Sequence, residues 1–361
     1  MTMIIKRDYY LQQLISSKSN NLIKIVTGIR RSGKSFLLFN LFHNHLIETG
    51  ISEDHIIEIA LDDRLNKNLR DPDIILQHIH ERIVDDKLYY IILDEVQMID
   101  EFTDVLNSLL HIRNADVYVT GSNSKFLSKD VVTEFRGRGD EIHLFPLSFA
   151  ELYNSIGGDK FELWKSYYTY GGLPGILELD SEKKKAAYLR SLHETVYLKD
   201  IIERNNLKNS EEFMELMRVM ASCIGSPCNP SKLENTFKSV KNETLDRKTI
   251  SKYLSYMEDA FLIEKSMRYD IKGRKYIGTL SKYYFQDIGL RNALLNFRQV
   301  EENHIMENVI YNELRLRGFC VDVGMVEART AKERKQLEVD FVANMADRRY
   351  YIQSAFAMPD D

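Results

Sequence analysis

The chain has 361 residues, enough for two or three domains, and its 44% hydrophobic and 29% charged side chains are ordinary for a soluble globular protein. A formal net charge of −5 excludes a uniformly basic nucleic-acid coat, though not a local basic patch. No apolar run approaches the ~20 residues of a membrane span. Charges also fall within Met1 to Tyr10, where a secretion signal needs its apolar stretch, and Cys223, Cys228 and Cys320 are spaced as reduced thiols of a cytoplasmic protein rather than as a disulfide or metal set.

Met3 to Ser16 has helical spacing and is expected to pack in front of the first strand, Leu22 to Val26. That strand feeds Gly28-Ile29-Arg30-Arg31-Ser32-Gly33-Lys34-Ser35, the G-x-x-x-x-G-K-S pattern of a phosphate-binding loop. The glycines let the backbone turn tightly and aim its amides at an anion. A helix beginning near Gly33 and continuing through Phe36 to Leu41 would point the positive end of its dipole at the same phosphates. Lys34 supplies a point charge for the β and γ phosphates, and Ser35 a hydroxyl for Mg²⁺. The expected ATP-binding set is therefore Gly28, Arg30, Arg31, Ser32, Gly33, Lys34, Ser35 and Phe36.

A second strand is expected over Ile56 to Leu61 and a helix over Ile74 to Val84. Leu88 to Leu93 then reads as a strand buried on both faces that ends in Asp94-Glu95, the Walker B arrangement. Asp94 can hold the water shell of Mg²⁺, and Glu95 is the base that polarises an attacking water. Phe102 to His111 is an amphipathic helix, and Asp116 to Thr120 a fourth strand running into Gly121-Ser122-Asn123-Ser124. Asn123 is the first choice for a polar group reaching the γ-phosphate, with Thr120 and Ser122 next; a polar turn without a ligand is the alternative. Phe135 to Asp140 places Arg136 and Arg138 among glycines before a fifth strand, Glu141 to Phe145. A guanidinium there could be an arginine finger or a surface salt-bridge residue. Alternating strands and helices give a doubly wound parallel sheet with its ligand at the carboxyl ends of the strands.

These motifs, with Pro146-Leu147-Ser148-Phe149 and Tyr170-Gly171-Gly172-Leu173-Pro174, together resemble a prokaryotic AAA-type ATPase family that carries a C-terminal domain of unknown function. The resemblance covers nearly the whole chain. It implies an AAA+-like P-loop NTPase over 1–148 with an ATP and Mg²⁺ site built from Lys34, Ser35, Asp94 and Glu95. It further implies Asn123 or Ser122 as γ-phosphate sensor. Arg138, ahead of Arg136, would be the finger donated to a neighbouring subunit, hence a homo-oligomer.

Phe149 to Tyr170 and Ser181 to Asn205 are helical by period, hinged at Gly171 to Gly175, and make a helical lid over 149–207 with Trp164, Tyr167, Tyr168 and Tyr170 as its core. Three helices (Glu211 to Ile224, Pro230 to Thr236, Asp246 to Asp259) and two strands (Ala260 to Lys265, Tyr283 to Asp287) read as a winged helix over 208–290. Between Lys208 and Lys275 there are thirteen basic against ten acidic side chains. Arg247, Lys248 and Lys252 on the third helix and Lys272, Arg274 and Lys275 on the wing could meet the phosphates of duplex DNA; a protein contact is the alternative.

In the tail, 291–361, the order Glu307, Asp340, Gln353-x-Ala355 is similar to the core of restriction-endonuclease-like folds, in which carboxylates hold Mg²⁺ and a lysine steadies the attacking water. Alanine stands where that lysine belongs, which argues against a nuclease or toxin-antitoxin-type effector, and the segment is expected to be a truncated version of the fold. The first expectation is a Mg²⁺-dependent ATPase. The second is an ATP-regulated DNA-binding switch with negligible turnover.

Overall fold

The computed structural model describes residues 4–121, 137–241, 245–298, 300, 302–329 and 334–355. The chain divides after Leu144 into two units. The first is built from helix α1 (Asp8–Ser16), strand β1 (Ile23–Thr27), helix α2 (34–48), β2 (Ile56–Ala60), α3 (Pro72–Arg82), β3 (Tyr89–Asp94), α4 (Phe102–Leu109), β4 (Ala115–Thr120) and β5 (Gly139–His143). Its five strands lie in the order β2-β3-β4-β1-β5, and every neighbouring pair is parallel. Parallel strands need crossovers and are covered on both faces, which is why β1 and β3 are buried along their whole length. Ile57, Ile59, Ile91, Leu93, Val117 and Val119 share one core cluster with α3 and α4. From β1 the chain goes to the far edge, steps back through β3 and β4, then crosses to β5. The carboxyl tips of β1, β4 and β3 therefore lie side by side where the direction of travel changes, the usual place for a ligand crevice.

One residue interrupts the apolar run of β1. Lys24 is fully buried, and its ammonium is paired with Asp116 at the start of β4. The Leu22 carbonyl accepts a hydrogen bond from it at 2.9 Å, and the Tyr118 ring lies 4.8 Å away. Asp116 also accepts from the Tyr118 hydroxyl at 2.8 Å and the Ser19 amide at 3.0 Å. Burial pushes the Lys24 ammonium down from its ordinary pKa while Asp116 pulls it up. Asp116→Ala would strand a charge in the sheet. We expect it to destabilise the first unit by about 3–5 kcal/mol, read as a fall in urea midpoint at unchanged slope. A fall worth less than about 1 kcal/mol would mean that water reaches the pair.

The second unit begins with α5 (Phe149–Ile156), opened by a capping box between Ser148 and Glu151, and α6 (Lys160–Tyr170). Where one helix is expected from Phe149 to Tyr170, the backbone breaks at Gly157 and Gly158, both at positive φ. A long helix, α7 (182–205), follows, with a π-helical stretch at His193–Leu198. Then come α8 (Ser210–Ser222), α9 (230–241) and α10 (Arg247–Asp259). Asp246 caps α10, accepting from the Lys248 and Thr249 amides at 2.7 and 3.1 Å. The chain continues through β6 (Ile263–Asp270), β7 (Lys275–Phe285), α11 (Ile288–Leu294), α12 (Glu302–Leu316), β8 (Cys320–Arg329), β9 (Arg334–Met345) and β10 (Arg348–Ile352). No described helix is long and apolar enough to cross a membrane.

Two expectations change here. The glycines after Tyr170 are a docking point as well as a bend. Gly172 donates its amide to Asp287 at 2.8 Å, the same carboxylate caps α11 through Leu290 at 2.9 Å, and a Cβ on Gly171 would lie 2.4 Å from it. Trp164, Tyr167 and Tyr168 pack beside this contact on Ile288, Ile305 and Val309, as core. The expected wing, β6 and β7, is part of a five-stranded sheet ordered β10-β9-β8-β6-β7. β6 pairs in parallel with β8, Arg268 opposite Val323 and Asp270 opposite Met325, while the other pairs are antiparallel. A two-stranded wing would leave the free edge of β6 with unpaired amides, and the tail supplies the missing partner. The expected division at residue 290 thus falls inside one sheet.

Candidate functional site

The loop between β1 and α2 has the geometry its glycines require. Gly28 sits at φ +136°, and a Cβ there would lie 2.2 Å from the Leu144 carbonyl oxygen, so only glycine fits. Arg31 and Gly33 are also at positive φ, and Lys34 opens the helix. Lys34 is buried, and its ammonium donates to the Gly28 and Ile29 carbonyls at 3.0 and 3.1 Å, closing the loop on itself. Beneath the loop the Ser32 hydroxyl is buried without a hydrogen-bond partner. Arg7, just before α1, donates to the Ser32 carbonyl at 3.3 Å. It ties the start of the first helix to the loop. Arg30 and Arg31 are exposed, and Phe36 is half-buried.

Asp94 emerges at the tip of β3, two strands from β1, with its carboxylate buried. It accepts hydrogen bonds from Ser35 and from Thr120 at the tip of β4. Burial pushes its carboxyl above the usual range, and the two hydroxyls oppose that shift. The Thr120 hydroxyl also accepts from the Glu95 amide at 2.9 Å. Glu95 stands in the left-handed region at φ +54°, and the Gln97 side-chain amide donates to its carboxylate. Thr120, second choice for a γ-phosphate contact, thus spends its hydroxyl on aligning Asp94 and Glu95. Arg7 and Gln97 are support residues that sequence reasoning missed; in the case of Gln97, spacing of two from an acid in a turn was the available signal. Asn123, Ser122 and Arg136 lie outside the described residues.

The donor set fits a nucleotide and Mg²⁺. The loop has room for no side chain at its first glycine, it holds a buried ammonium, and the Ser35 hydroxyl that follows it is bonded to the Asp94 carboxylate. Arg138 lies elsewhere. Its carbonyl accepts from the Ile23 amide at 2.9 Å, which puts it at the amino edge of the sheet. That is a strand length, ~16 Å, from the loop of the same copy.

A family model described as an AAA domain matches residues 20–153, and one for a domain of unknown function (DUF8612) matches 161–301. An uncharacterized protein of Haemophilus influenzae is 34% identical over 99% of this chain and 88% of its own length. Another, of Methanocaldococcus jannaschii, is 30% identical over 94% of this chain and 75% of its own. The chain belongs to their family. Its first unit carries this family's AAA domain, with the P-loop and the Asp94-Glu95 tip described above. Among solved structures, the ORC2 protein of Aeropyrum pernix is similar at 13% identity, 85% and 92% coverage of the two chains and a TM-score of 0.40. Cdc6p of Pyrobaculum aerophilum is similar at 13% identity, 86% and 97% coverage and a TM-score of 0.33.

The basic residues expected to meet duplex DNA are divided between two places. Lys248 and Lys252 are exposed one turn apart on α10, while Arg247 beside them is paired with Glu234 at 3.1 Å. Lys272, Arg274 and Lys275 sit at the turn between β6 and β7, where Lys272 donates to the Glu327 carbonyl at 3.3 Å.

Proposed function

We propose that this family member is a Mg²⁺-dependent ATPase. The observation that carries the reading is that Ser35, next to Lys34 after β1, is bonded to Asp94 at the tip of β3, with Thr120 of the intervening β4 bonded to the Asp94 carboxylate and the Glu95 amide. In this reading the loop amides and Lys34 take the β and γ phosphates of ATP, the ammonium leaving the Gly28 and Ile29 carbonyls to do so. Ser35 and Asp94 would hold Mg²⁺, which when bound neutralises charge on the phosphoryl oxygens. Glu95 orients a water and receives its proton as the water oxygen bonds to the γ-phosphorus. The bond to the β–γ bridging oxygen breaks, and ADP and phosphate leave. Asn123 or Ser122 would sense the γ-phosphate. Arg138, too far from its own loop, would serve a neighbouring copy, so the active form is a homo-oligomer.

Calorimetry with Mg-ATP tests the site. Lys34→Ala should weaken binding about 10- to 100-fold, the worth of a charge-assisted hydrogen bond of roughly 1.5–3 kcal/mol. Unchanged affinity would remove the site. We also propose that nucleotide state is coupled to duplex DNA, on the strength of the exposed pair Lys248 and Lys252. Anisotropy titrations should then show salt-dependent binding whose log–log slope falls by about two in the Lys248→Ala/Lys252→Ala double variant. No salt-sensitive binding in any nucleotide state would eliminate DNA as partner.

A further inference from the structure

The tail's likeness to restriction-endonuclease-like folds implies a divalent cation between Glu307 on α12 and Asp340 on β9. The structure does bring these two buried carboxylates to one cavity of about 400 Å³, with Gln353 and Ser354 beside them. A cation is already in place there. Lys282 comes in from β7, 2% exposed, and its ammonium lies 2.8 Å from Glu307 Oε1, 2.7 Å from Glu338 Oε1 and 3.9 Å from Asp340 Oδ1.

The remaining donors close the set. The Tyr284 hydroxyl donates to Glu307 Oε1 at 2.7 Å. Asp340 Oδ2 accepts from the Ser354 amide at 2.8 Å and from the side-chain amide of Gln353 at 2.7 Å. Gln353 thus turns its NH₂, not its carbonyl, toward the acid. N–H and O–H groups thus point at Glu307 Oε1, Glu338 Oε1 and Asp340 Oδ2, one oxygen of each carboxylate, where a metal would need bare acceptors, so this donor set does not fit Mg²⁺.

We infer that Lys282 stands in for the metal: a tethered ammonium neutralises Glu307, Glu338 and Asp340, and the tail is a metal-free module that does not cut phosphodiesters. Three carboxylates drawn together repel one another, and a lysine held by its own strand relieves this without capturing an ion from solution. A metal entering between Glu307 and Asp340 would have to expel that ammonium from a buried place or sit against it. Ala355 agrees with this, since a module with no metal has no use for a lysine at that position.

The test uses the full chain without nucleotide and follows free Mn²⁺ by electron paramagnetic resonance, with melting temperature alongside. Wild type should show no Mn²⁺ binding that Asp340→Asn removes, and no plasmid nicking with Mg²⁺ or Mn²⁺. Lys282→Met opens the place between the carboxylates and should gain roughly 10- to 100-fold in Mn²⁺ affinity, the range over which a site's surroundings move metal binding. Its melting temperature should rise with Mn²⁺. Should that variant fail to fold without metal, Lys282→Met/Glu338→Gln, with one fewer negative charge, takes its place. Mn²⁺ binding to wild type that is lost in Asp340→Asn would overturn the inference, as would nicking by wild type that is lost in the same variant. A folded Lys282→Met or double variant with no gain in Mn²⁺ binding would also overturn it. So would failure of both variants to fold with Mn²⁺ present, since a cation site must accept a cation.

Discussion

Glu95→Gln is expected to lower ATP turnover by about 10²–10⁴-fold, the usual worth of a general base, with Mg-ATP affinity close to that of the parent. The substitution keeps the shape of the side chain and leaves untouched the backbone bond from residue 95 to the Thr120 hydroxyl. Asp94 and its two hydroxyl donors are likewise undisturbed, so the metal-holding part of the site survives. What disappears is the carboxylate next to Asp94 in the chain, which accepts from the Gln97 side chain rather than from Ser35 or Thr120. Steady-state phosphate release together with calorimetry separates the two quantities. Parent-like turnover would take Glu95 out of the chemistry, and a parallel collapse in affinity would show that the residue shapes the pocket instead.

Arg138→Ala is expected to cost about 10³-fold or more in turnover, the range measured for arginine fingers, but only under conditions where copies assemble. Arg138 stands at the amino edge of the sheet, beside Ile23, and the phosphate loop follows the other end of the same strand. In the proposed function it would therefore meet the γ-phosphate of another copy. Mixing Arg138→Ala, which has an intact loop, with Glu95→Gln, which has an intact arginine, should recover activity that neither has alone. A species that stays monomeric with ATP, or an Arg138→Ala rate equal to the parent, would return this residue to a surface role, where it lies 3.5 Å from the Asn107 side chain.

The nucleotide-loop half of the site was legible because its chemistry is local. Gly28 through Ser35 are consecutive, and strand–loop–helix order is written in the run from Leu22 to Leu41. Asp94 and Glu95 were legible for the same reason. The bonds of Thr120, an alternative to Asn123 for the γ-phosphate contact, were not legible because its partners are twenty-five and twenty-six positions away, and nothing in its neighbourhood says which way the hydroxyl turns. Lys24 hid inside what reads as an apolar strand, since its counter-charge arrives ninety-two residues later. The Lys282 cluster was invisible for the same cause: the strand expected from Tyr283 to Asp287 stops short of Lys282, and Glu307 and Glu338 reach it from elements 25 and more residues away. Pairing order is set by long-range closure of the sheet. That is also why β6 and β7 read as a separate wing.

The parallel ladder between Arg268–Asp270 and Val323–Met325 bears on how this protein can be handled and inherited. A fragment ending before residue 320 would bare the hydrogen-bonding edge of β6 and strand the Ser266 hydroxyl, which bonds the Val321 carbonyl at 3.0 Å. Such an edge invites strand pairing between molecules, so shortened versions should clump rather than work as detachable parts. Strand β6 and the strands of the tail complete one another's hydrogen bonding, so a break between them would leave an open edge on both sides.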